Sequence, residues 1–173
     1  MAVRKILQLG DPLLREISQP VSNIPDSLEV MADLRDTLHE FQRSHGFGRG
    51  ISAVQIGVPQ RIIYLEVARL TYCLINPTWV HKSTQTFRLW DDCFSFPHLM
   101  VYLERSSAVG IRFNDESGVI QTLEASGSLS ELIQHEMDHL DGILAIDRAL
   151  DKNSFCTREE WLRRYSSGAA ANW

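Results

Sequence analysis

The sequence predicts an α+β fold in which a mostly antiparallel β-sheet packs around a central helix. Strand-like runs fill the middle of the 173-residue chain, helical patterns occur at both ends, and a helix with the motif His-Glu-x-x-His follows the strands. We expect one domain over residues 1–173, because the length suits a single core and no linker or repeat is visible. Residues 166–173 are small and polar, which predicts a loose tail.

Helices are predicted near both ends of the chain. Asp11 and Pro12 form a turn signal in which Asp11 caps a short helix. A longer helix is expected after Asp26, because apolar residues recur there at spacings of three and four. These residues are Met31, Leu34, Leu38 and Phe41. A further helix is predicted over about residues 128–140, with Gly142 in the position of its C-terminal cap. A last short helix is predicted over about residues 158–165.

The middle of the chain contains β-rich runs that predict strands. They cover residues 61–67, 72–75, 100–103, 109–113 and 119–123. Pro77 is expected to stop the second run, because proline removes a ladder donor. The last two runs flank a turn and predict a hairpin. Residues 90–97 are rich in turn formers and are predicted to be a compact loop.

Composition excludes several functional classes. Lys and Arg total 17 against 22 Asp and Glu, so a net charge of -5 gives no bulk attraction for nucleic acid or anionic membranes. No apolar run is long enough for a membrane span. The apolar run within the first residues is too short for a secretory signal. The odd number of cysteines argues against disulfides and for a reducing compartment, so we expect a cytoplasmic protein. These cysteines are Cys73, Cys93 and Cys156.

The motif His-Glu-x-x-His gives the strongest signal for chemistry. His135 and His139 lie one helical turn apart on the same face, so both imidazoles can reach one metal ion. Glu136 can take a proton from a water bound to that metal. A catalytic metal site also needs a third protein ligand. The residues leave two candidates open, Cys93 and Glu159.

The two candidates predict different enzymes. Cys93 would add a thiolate, which favours Fe(II) or Zn. Glu159 has the separation from His139 that thermolysin-like endoproteases use, but its surroundings are typical of a solvated first helical turn. The sequence around each residue therefore favours Cys93.

Three blocks in order resemble the peptide deformylase family. Residues 48–57 read Gly-Arg-Gly-Ile-Ser-Ala-Val-Gln-Ile-Gly and match a glycine-rich block that ends in Gln-x-Gly. Residues 91–95 read Asp-Asp-Cys-Phe-Ser and match a block centred on a ligand cysteine. Residues 134–142 contain His-Glu-Met-Asp-His-Leu-Asp-Gly and match the family's third block closely. Residues 10–15 also resemble the family's N-terminal start, so the resemblance covers roughly residues 4–150.

The resemblance implies a metal-dependent hydrolase that removes the N-formyl group from formyl-methionyl peptides. A metal-activated water attacks the formyl carbon, with Glu136 as general base. The Gln55 side chain and the Phe94 backbone N–H are implied to stabilise the oxyanion. The implied metal ligands are Cys93, His135 and His139.

The resemblance also implies a cofactor and partners. One divalent metal ion is expected, Fe(II) in the cell, with Zn or Ni in a preparation. The partner is an N-formylated peptide or nascent chain that lies beside Gly48 and Gly50 as an extra strand. No nucleic acid or membrane partner and a monomeric state are expected. Glu131 falls at the rim of the pocket for the first side chain, where we interpret it as a solvated charge; a pocket biased toward polar or cationic side chains is the alternative.

Several positions depart from the family pattern. In the cysteine block Asp91 replaces Glu, Asp92 replaces Gly and Phe94 replaces Leu, and Met100 stands where an Arg normally pairs with that Glu. The first block has Ser52 for Ala and Val54 for Pro. We therefore expect the pair as normally built to be lost, with Arg88 or Arg105 as substitutes. Two alternatives remain: a divergent paralogue that hydrolyses another formamide or acyl amide, and a catalytically silent metal- or peptide-binding homologue.

Overall fold

In the part of the chain that the structure describes, eight strands form two antiparallel sheets. The computed structural model describes residues 2–165, and the predicted loose tail at 166–173 lies outside them. The strands are β1 (Gly50–Ser52), β2 (Ile62–Val67), β3 (Leu70–Lys82), β4 (Thr86–Asp92), β5 (Leu99–Ser106), β6 (Ala108–Asn114), β7 (Ile120–Ser126) and β8 (Phe155–Thr157). The larger sheet has the order β1-β2-β3-β6-β7 and the smaller one β4-β5-β8. The predicted hairpin is confirmed as β6 paired with β7.

Within residues 2–165, three α-helices accompany the sheets: α1 (Ile24–His45), α2 (Gly127–Leu140) and α3 (Arg158–Tyr165). Every residue of α2 from Ser130 to Leu140 is buried, and the helix contacts strands of both sheets. The predicted α+β class with a central helix is therefore confirmed. Within residues 2–165, no helix has the length and apolar character that a membrane crossing requires.

The helix signals read from the sequence hold in the structure. The Asp11 side chain accepts a hydrogen bond from the Leu13 backbone N–H at 3.0 Å, and a 3₁₀ turn over Pro12–Arg15 follows. α1 begins slightly earlier than predicted, with Pro25 in its first turn, and its apolar stripe is buried. It ends at Gly46, which has a left-handed φ of 79°.

The prediction that Pro77 stops a strand is wrong. β3 continues past it because a bulge interrupts the pairing with β6 between Ile75 and Thr78, so no ladder donor is needed from the proline. Asn76 adopts a φ of 52° at this bulge. Its side chain accepts from the Val21 N–H at 2.7 Å and donates to the Val21 carbonyl at 2.8 Å, which holds the irregular backbone.

The prediction of a loop over residues 90–97 is wrong in its first part. Asp91 and Asp92 belong to β4, which pairs with β5 along its length, so the loop begins at Cys93. Aspartates are depleted in strands, and here tertiary partners outweigh that preference. The short strands β1 and β8 were not predicted, because three residues are too few to show a period of two.

A buried charge network joins α2 to the smaller sheet. Arg105 on β5 donates to Asp91 on β4 at 3.1 Å and to Asp138 on α2. Arg148 also donates to Asp138, at 2.8 Å. Burial lowers the pKa of Arg105, but the two carboxylates outweigh burial and raise it. The guanidinium therefore stays charged in the interior and links three elements of the fold.

We expect Arg105→Met to destabilise the metal-loaded protein by about 3–5 kcal/mol, because two buried carboxylates lose their shared partner. Arg88→Met is the matched control, since its ion pair with Glu104 is exposed and should contribute at most about 1 kcal/mol. Urea unfolding of the parent protein and of the two variants measures both losses in the free energy of unfolding. Equal losses in the two variants would contradict the structural role of Arg105.

The end of α2 requires a glycine at position 142. Gly142 has a φ of 70°, and an added Cβ would lie 2.5 Å from the Arg15 carbonyl oxygen. Gly46, at the end of α1, has a φ of 79°, but no atom of residues 2–165 lies within 4 Å of an added Cβ. The two glycines therefore share the strained backbone region and differ in available space.

We expect Gly46→Ala to cost about 1–2 kcal/mol from the left-handed backbone alone. Gly142→Ala should cost a further ~1–3 kcal/mol, because the methyl group must displace backbone. The free energy of unfolding in urea measures both losses. A Gly142→Ala variant no less stable than Gly46→Ala would refute the close approach.

Candidate metal centre

Three predicted ligands converge in the interior. Cys93 follows β4, and His135 and His139 lie on one face of α2. The Cys93 Sγ lies 3.2 Å from His139 Nε2, and the three donor atoms all lie within 4.8 Å of one another. All three side chains are buried. The structure thus brings together a thiol and two imidazoles, as the sequence motif and the cysteine block predict.

The other candidate ligand does not join this cluster. Glu159 is exposed in the first turn of α3. Among residues 2–165, the groups that could hold a metal contain Cys93, His135 and His139, or Asp91, Glu131 and His135. The thermolysin-like alternative is therefore wrong, and the interpretation of Glu159 as a solvated helical charge is confirmed.

Asp91 orients the first imidazole. His135 Nδ1 donates to the Asp91 carboxylate at 3.0 Å, which leaves Nε2 for a metal. Burial lowers the pKa of His135, but Asp91 outweighs burial and raises it. Asp91 also accepts from Arg105 at 3.1 Å. The expected loss of the acid–arginine pair as normally built is therefore confirmed, and Arg105, one of the two residues named as substitutes, supplies the pair from β5. Met100 is a fully buried apolar residue.

Asp92 has a partner that the sequence gave no signal for. Its carboxylate pairs with Arg158 from the first turn of α3. Arg158 also donates to the Pro97 carbonyl at 2.6 Å, and its guanidinium lies 3.9 Å from the centre of the Phe47 ring. This pair fixes α3 against the loop that contains Cys93.

Glu136 is held beside the donor cluster by the first block. Ser52 Oγ lies 2.5 Å from Glu136 Oε2, so the serine that replaces the family's alanine binds the carboxylate directly. A Cβ at Gly50 would lie 3.0 Å from Glu136 Oε1. Burial raises the pKa of Glu136, and the nearby His135 and the Ser52 hydroxyl oppose that rise. The glycine and the serine together set the position of the carboxylate.

Gln55 and Phe94 flank the cysteine. The Gln55 Oε1 accepts from the Ser52 N–H at 2.9 Å, and Nε2 lies 3.5 Å from Cys93 Sγ. Gln55 is thus the buried amide that links two segments, and its donor group points at the cluster. Across the described part of the chain, the Phe94 N–H donates to no partner. The Phe94 ring stacks on Phe41 at 3.9 Å.

A cavity of about 540 Å³ opens beside the cluster. Gly48, Gly50 and Glu131 all line it, together with Cys93 and His135. A Cβ at Gly48 would lie 2.6 Å from the Phe94 ring, so packing against that ring requires the glycine. Residues of α3 form part of the wall and were not predicted to lie there; they are Arg158, Trp161 and Leu162.

The interpretation of Glu131 as a solvated charge is wrong. Its side chain is buried and accepts a hydrogen bond from Arg49 Nη2 at 2.7 Å. Burial and the nearby Asp91 raise the pKa of Glu131 to about 7, and Arg49 opposes that rise. The role of Arg49 was not predicted, because nothing in the sequence pairs the glycine-rich block with a residue on α2.

The donor set fits a divalent cation. Burial raises the pKa of the Cys93 thiol. Burial and the nearby charge of His135 both lower the pKa of His139. The cluster therefore favours a neutral thiol and a neutral imidazole until a cation is bound. A divalent metal ion stabilises the thiolate and uses neutral imidazoles as ligands. One thiolate and two imidazoles also leave a coordination position for water or substrate.

Comparisons with known proteins agree with this geometry. The family model described as polypeptide deformylase matches residues 3–154. A peptide deformylase of Pelagibacter ubique is 37% identical over 153 residues, which cover 85% of this chain and 86% of the relative.

Solved structures show the same fold. A peptide deformylase from Thermotoga maritima superposes with a TM-score of 0.81 at 29% identity, over 87% of this chain and 100% of that chain. One from Synechococcus elongatus, in complex with actinonin, gives 0.80 at 30% identity, over 93% and 85%. The ordered blocks, the Cys-His-His cluster and these matches together show that the chain belongs to the peptide deformylase family.

Proposed function

We propose that the chain hydrolyses the formamide bond of N-formyl-methionyl peptides, with Glu136 as general base. Water adds to the formyl carbon, the C–N bond breaks, and formate and a free peptide amine are released. One observation carries the proposal: Cys93 and His135 of the Cys-His-His cluster line a cavity of about 540 Å³ together with Glu136. A volume of that size suits a short peptide end.

Cys93, His135 and His139 would hold the metal. When bound, the metal would act as a Lewis acid that activates water and polarises the formyl oxygen. The metal proposed for the cell is Fe(II), which the mixed thiolate and imidazole donors suit; Zn or Ni would also be accepted in a preparation. We propose that the protein acts as a monomer in the cytoplasm, where its three free thiols stay reduced.

Glu136 is proposed to move the proton. Its carboxylate takes a proton from the attacking water and delivers it to the leaving amine. Ser52 supports this role, because a hydroxyl 2.5 Å from Oε2 keeps one oxygen fixed while the other faces Gly50. The missing Cβ at position 50 leaves room for the carboxylate at the edge of the cavity.

Two donors are proposed to stabilise the developing oxyanion. The Gln55 Nε2 lies at the Cys93 side of the cavity, and the Phe94 N–H is left without a partner in residues 2–165. Fixed donors of this kind act without reorganisation when charge develops. The phenylalanine ring packs against Phe41, which fixes the backbone that carries the N–H.

The peptide is proposed to lie beside Gly48 and Gly50 as an added strand, with Glu131 near its first side chain. β1 is at one edge of the larger sheet, so its free side can accept such a strand. The Synechococcus elongatus relative was solved with actinonin, which supports a ligand-binding cavity in this family.

Formate release from formyl-Met-Ala-Ser tests the reaction. We expect Glu136→Gln to keep the metal and to lose about 10²–10⁴-fold in kcat, because it removes the base at constant shape. Cys93→Ala should lose the metal and the activity together. Cys156→Ala is the matched control, because that thiol lies away from the cluster on β8.

Metal analysis of anaerobically purified protein accompanies the assay. Bound metal without formate release would refute the proposed substrate and support a paralogue for another acyl amide or a silent metal-binding protein. Full metal content in Cys93→Ala would refute the proposed ligand set.

Gln55→Ala tests the oxyanion donor. We expect kcat to fall about 10²–10³-fold with little change in metal content, because one fixed donor is lost. Gln85→Ala, at an exposed glutamine, should match the parent protein. Unchanged kcat in Gln55→Ala would leave this amide with a structural role only.

A further inference from the structure

The hydroxyl of Ser52 contacts the proposed general base inside the protein. Ser52 is fully buried at the end of β1, and Glu136 follows His135 on α2. Ser52 Oγ lies 2.5 Å from Glu136 Oε2 and 3.1 Å from the Glu136 carbonyl oxygen. The shorter distance is typical of a hydroxyl that donates to a charged carboxylate, which is the stronger kind of hydrogen bond. The hydroxyl proton therefore belongs on the side of Oε2.

The two carboxylate oxygens of Glu136 have different surroundings. Oε2 accepts the hydrogen bond from Ser52. Oε1 has no hydrogen-bond partner within residues 2–165, yet protein atoms do not enclose it as they enclose the unpaired His139 Nδ1. It lies toward Gly50, since a Cβ added to that glycine would be 3.0 Å away, and Gly50 and Glu136 both line the cavity. Oε1 is therefore the oxygen with free acceptor capacity.

The backbone of Ser52 holds one of the proposed oxyanion donors. Its N–H donates to Gln55 Oε1 at 2.9 Å. This contact directs the other end of the amide toward the cysteine loop, where Nε2 lies 3.5 Å from Cys93 Sγ and 3.3 Å from Ser95 Oγ. One residue therefore contacts the proposed base with its side chain and a proposed oxyanion donor with its backbone.

We propose that Ser52 is a positioning residue that commits Oε1 of Glu136 to proton transfer. This inference rests on the proposed deformylase activity. Because the Ser52 hydroxyl occupies Oε2, a proton from the attacking water goes to Oε1 while the water oxygen bonds to the formyl carbon. The same proton then passes from Oε1 to the amine nitrogen as the C–N bond breaks. The formic acid that is released ionises to formate.

The hydroxyl is the part of Ser52 that departs from the family pattern. The family's usual alanine has the same backbone N–H for Gln55 but no group that could donate to the base. Without the hydroxyl, either carboxylate oxygen could take the proton, and a proton on Oε2 would lie on the side of β1. The serine removes that second arrangement and keeps the base in the geometry for transfer.

Formate release by metal-loaded Ser52→Ala tests the role. We expect kcat for formyl-Met-Ala-Ser to fall about tenfold with KM and metal content unchanged, because the base loses its orientation while the cavity is kept. Alanine is the family's usual residue here, so the variant should fold, and urea unfolding checks this. Ser27→Ala is the matched control: that buried hydroxyl donates to the Ile24 carbonyl at 2.6 Å on α1 and should leave kcat unchanged.

A double-variant cycle tests whether Ser52 acts through Glu136. In Glu136→Gln the base is already absent, so the addition of Ser52→Ala should lower kcat less than about twofold. A structural role would instead give the same tenfold loss in both backgrounds. That result would overturn the inference.

The outcomes separate this inference from the proposed function. Formate release by the parent protein with an unchanged kcat in Ser52→Ala would overturn the role of Ser52 and leave the deformylase proposal standing. Loss of metal in Ser52→Ala would also overturn the role. No formate from the metal-loaded parent protein would overturn the deformylase proposal and the role of Ser52 together. A loss of kcat that disappears in the Glu136→Gln background supports both.

Discussion

The metal centre depends on the buried guanidinium of Arg105. This charge is stable in the interior only because Asp91 and Asp138 both accept its hydrogen bonds. Asp91 then orients His135, while Asp138 belongs to the helix that carries both imidazoles. The same interaction therefore docks α2 against the smaller sheet and fixes the first ligand. A shift of β5 would displace the pair and the ligand together.

The sequence predicted the fold class and the two histidine donors because both rest on local periodicity. Two histidines four apart define a helical face, whereas Cys93 was assigned as the third ligand through the resemblance of its block to the family. Arg105 could be named only as one of two candidate partners, and Arg148 and Arg158 could not be assigned, since pairing across distant segments depends on how the elements pack. The strands β1 and β8 were missed because they are too short to show a pattern. β4 was missed because it ends in two aspartates, which are depleted in strands.

The departures from the family pattern have partners elsewhere in the chain. Asp92 is neutralised by Arg158, and Ser52 binds the Glu136 carboxylate that it faces. Glu131 pairs with Arg49 in the wall of the cavity. Without these partners, the polar side chains of Asp92, Ser52 and Glu131 would lie in the protein without a hydrogen-bond partner. The donor cluster of this site therefore follows the family pattern, whereas the wall of its cavity contains the additional polar pairs Arg49–Glu131 and Arg158–Asp92.

The contact between Asp92 and Arg158 also has a consequence for truncation of the chain. All three donor residues precede α3 in the sequence, whereas Arg158, Trp161 and Leu162 of α3 line the cavity. Removal of α3 would therefore take away one wall of the cavity and the partner of Asp92 without removing any of the three donor residues.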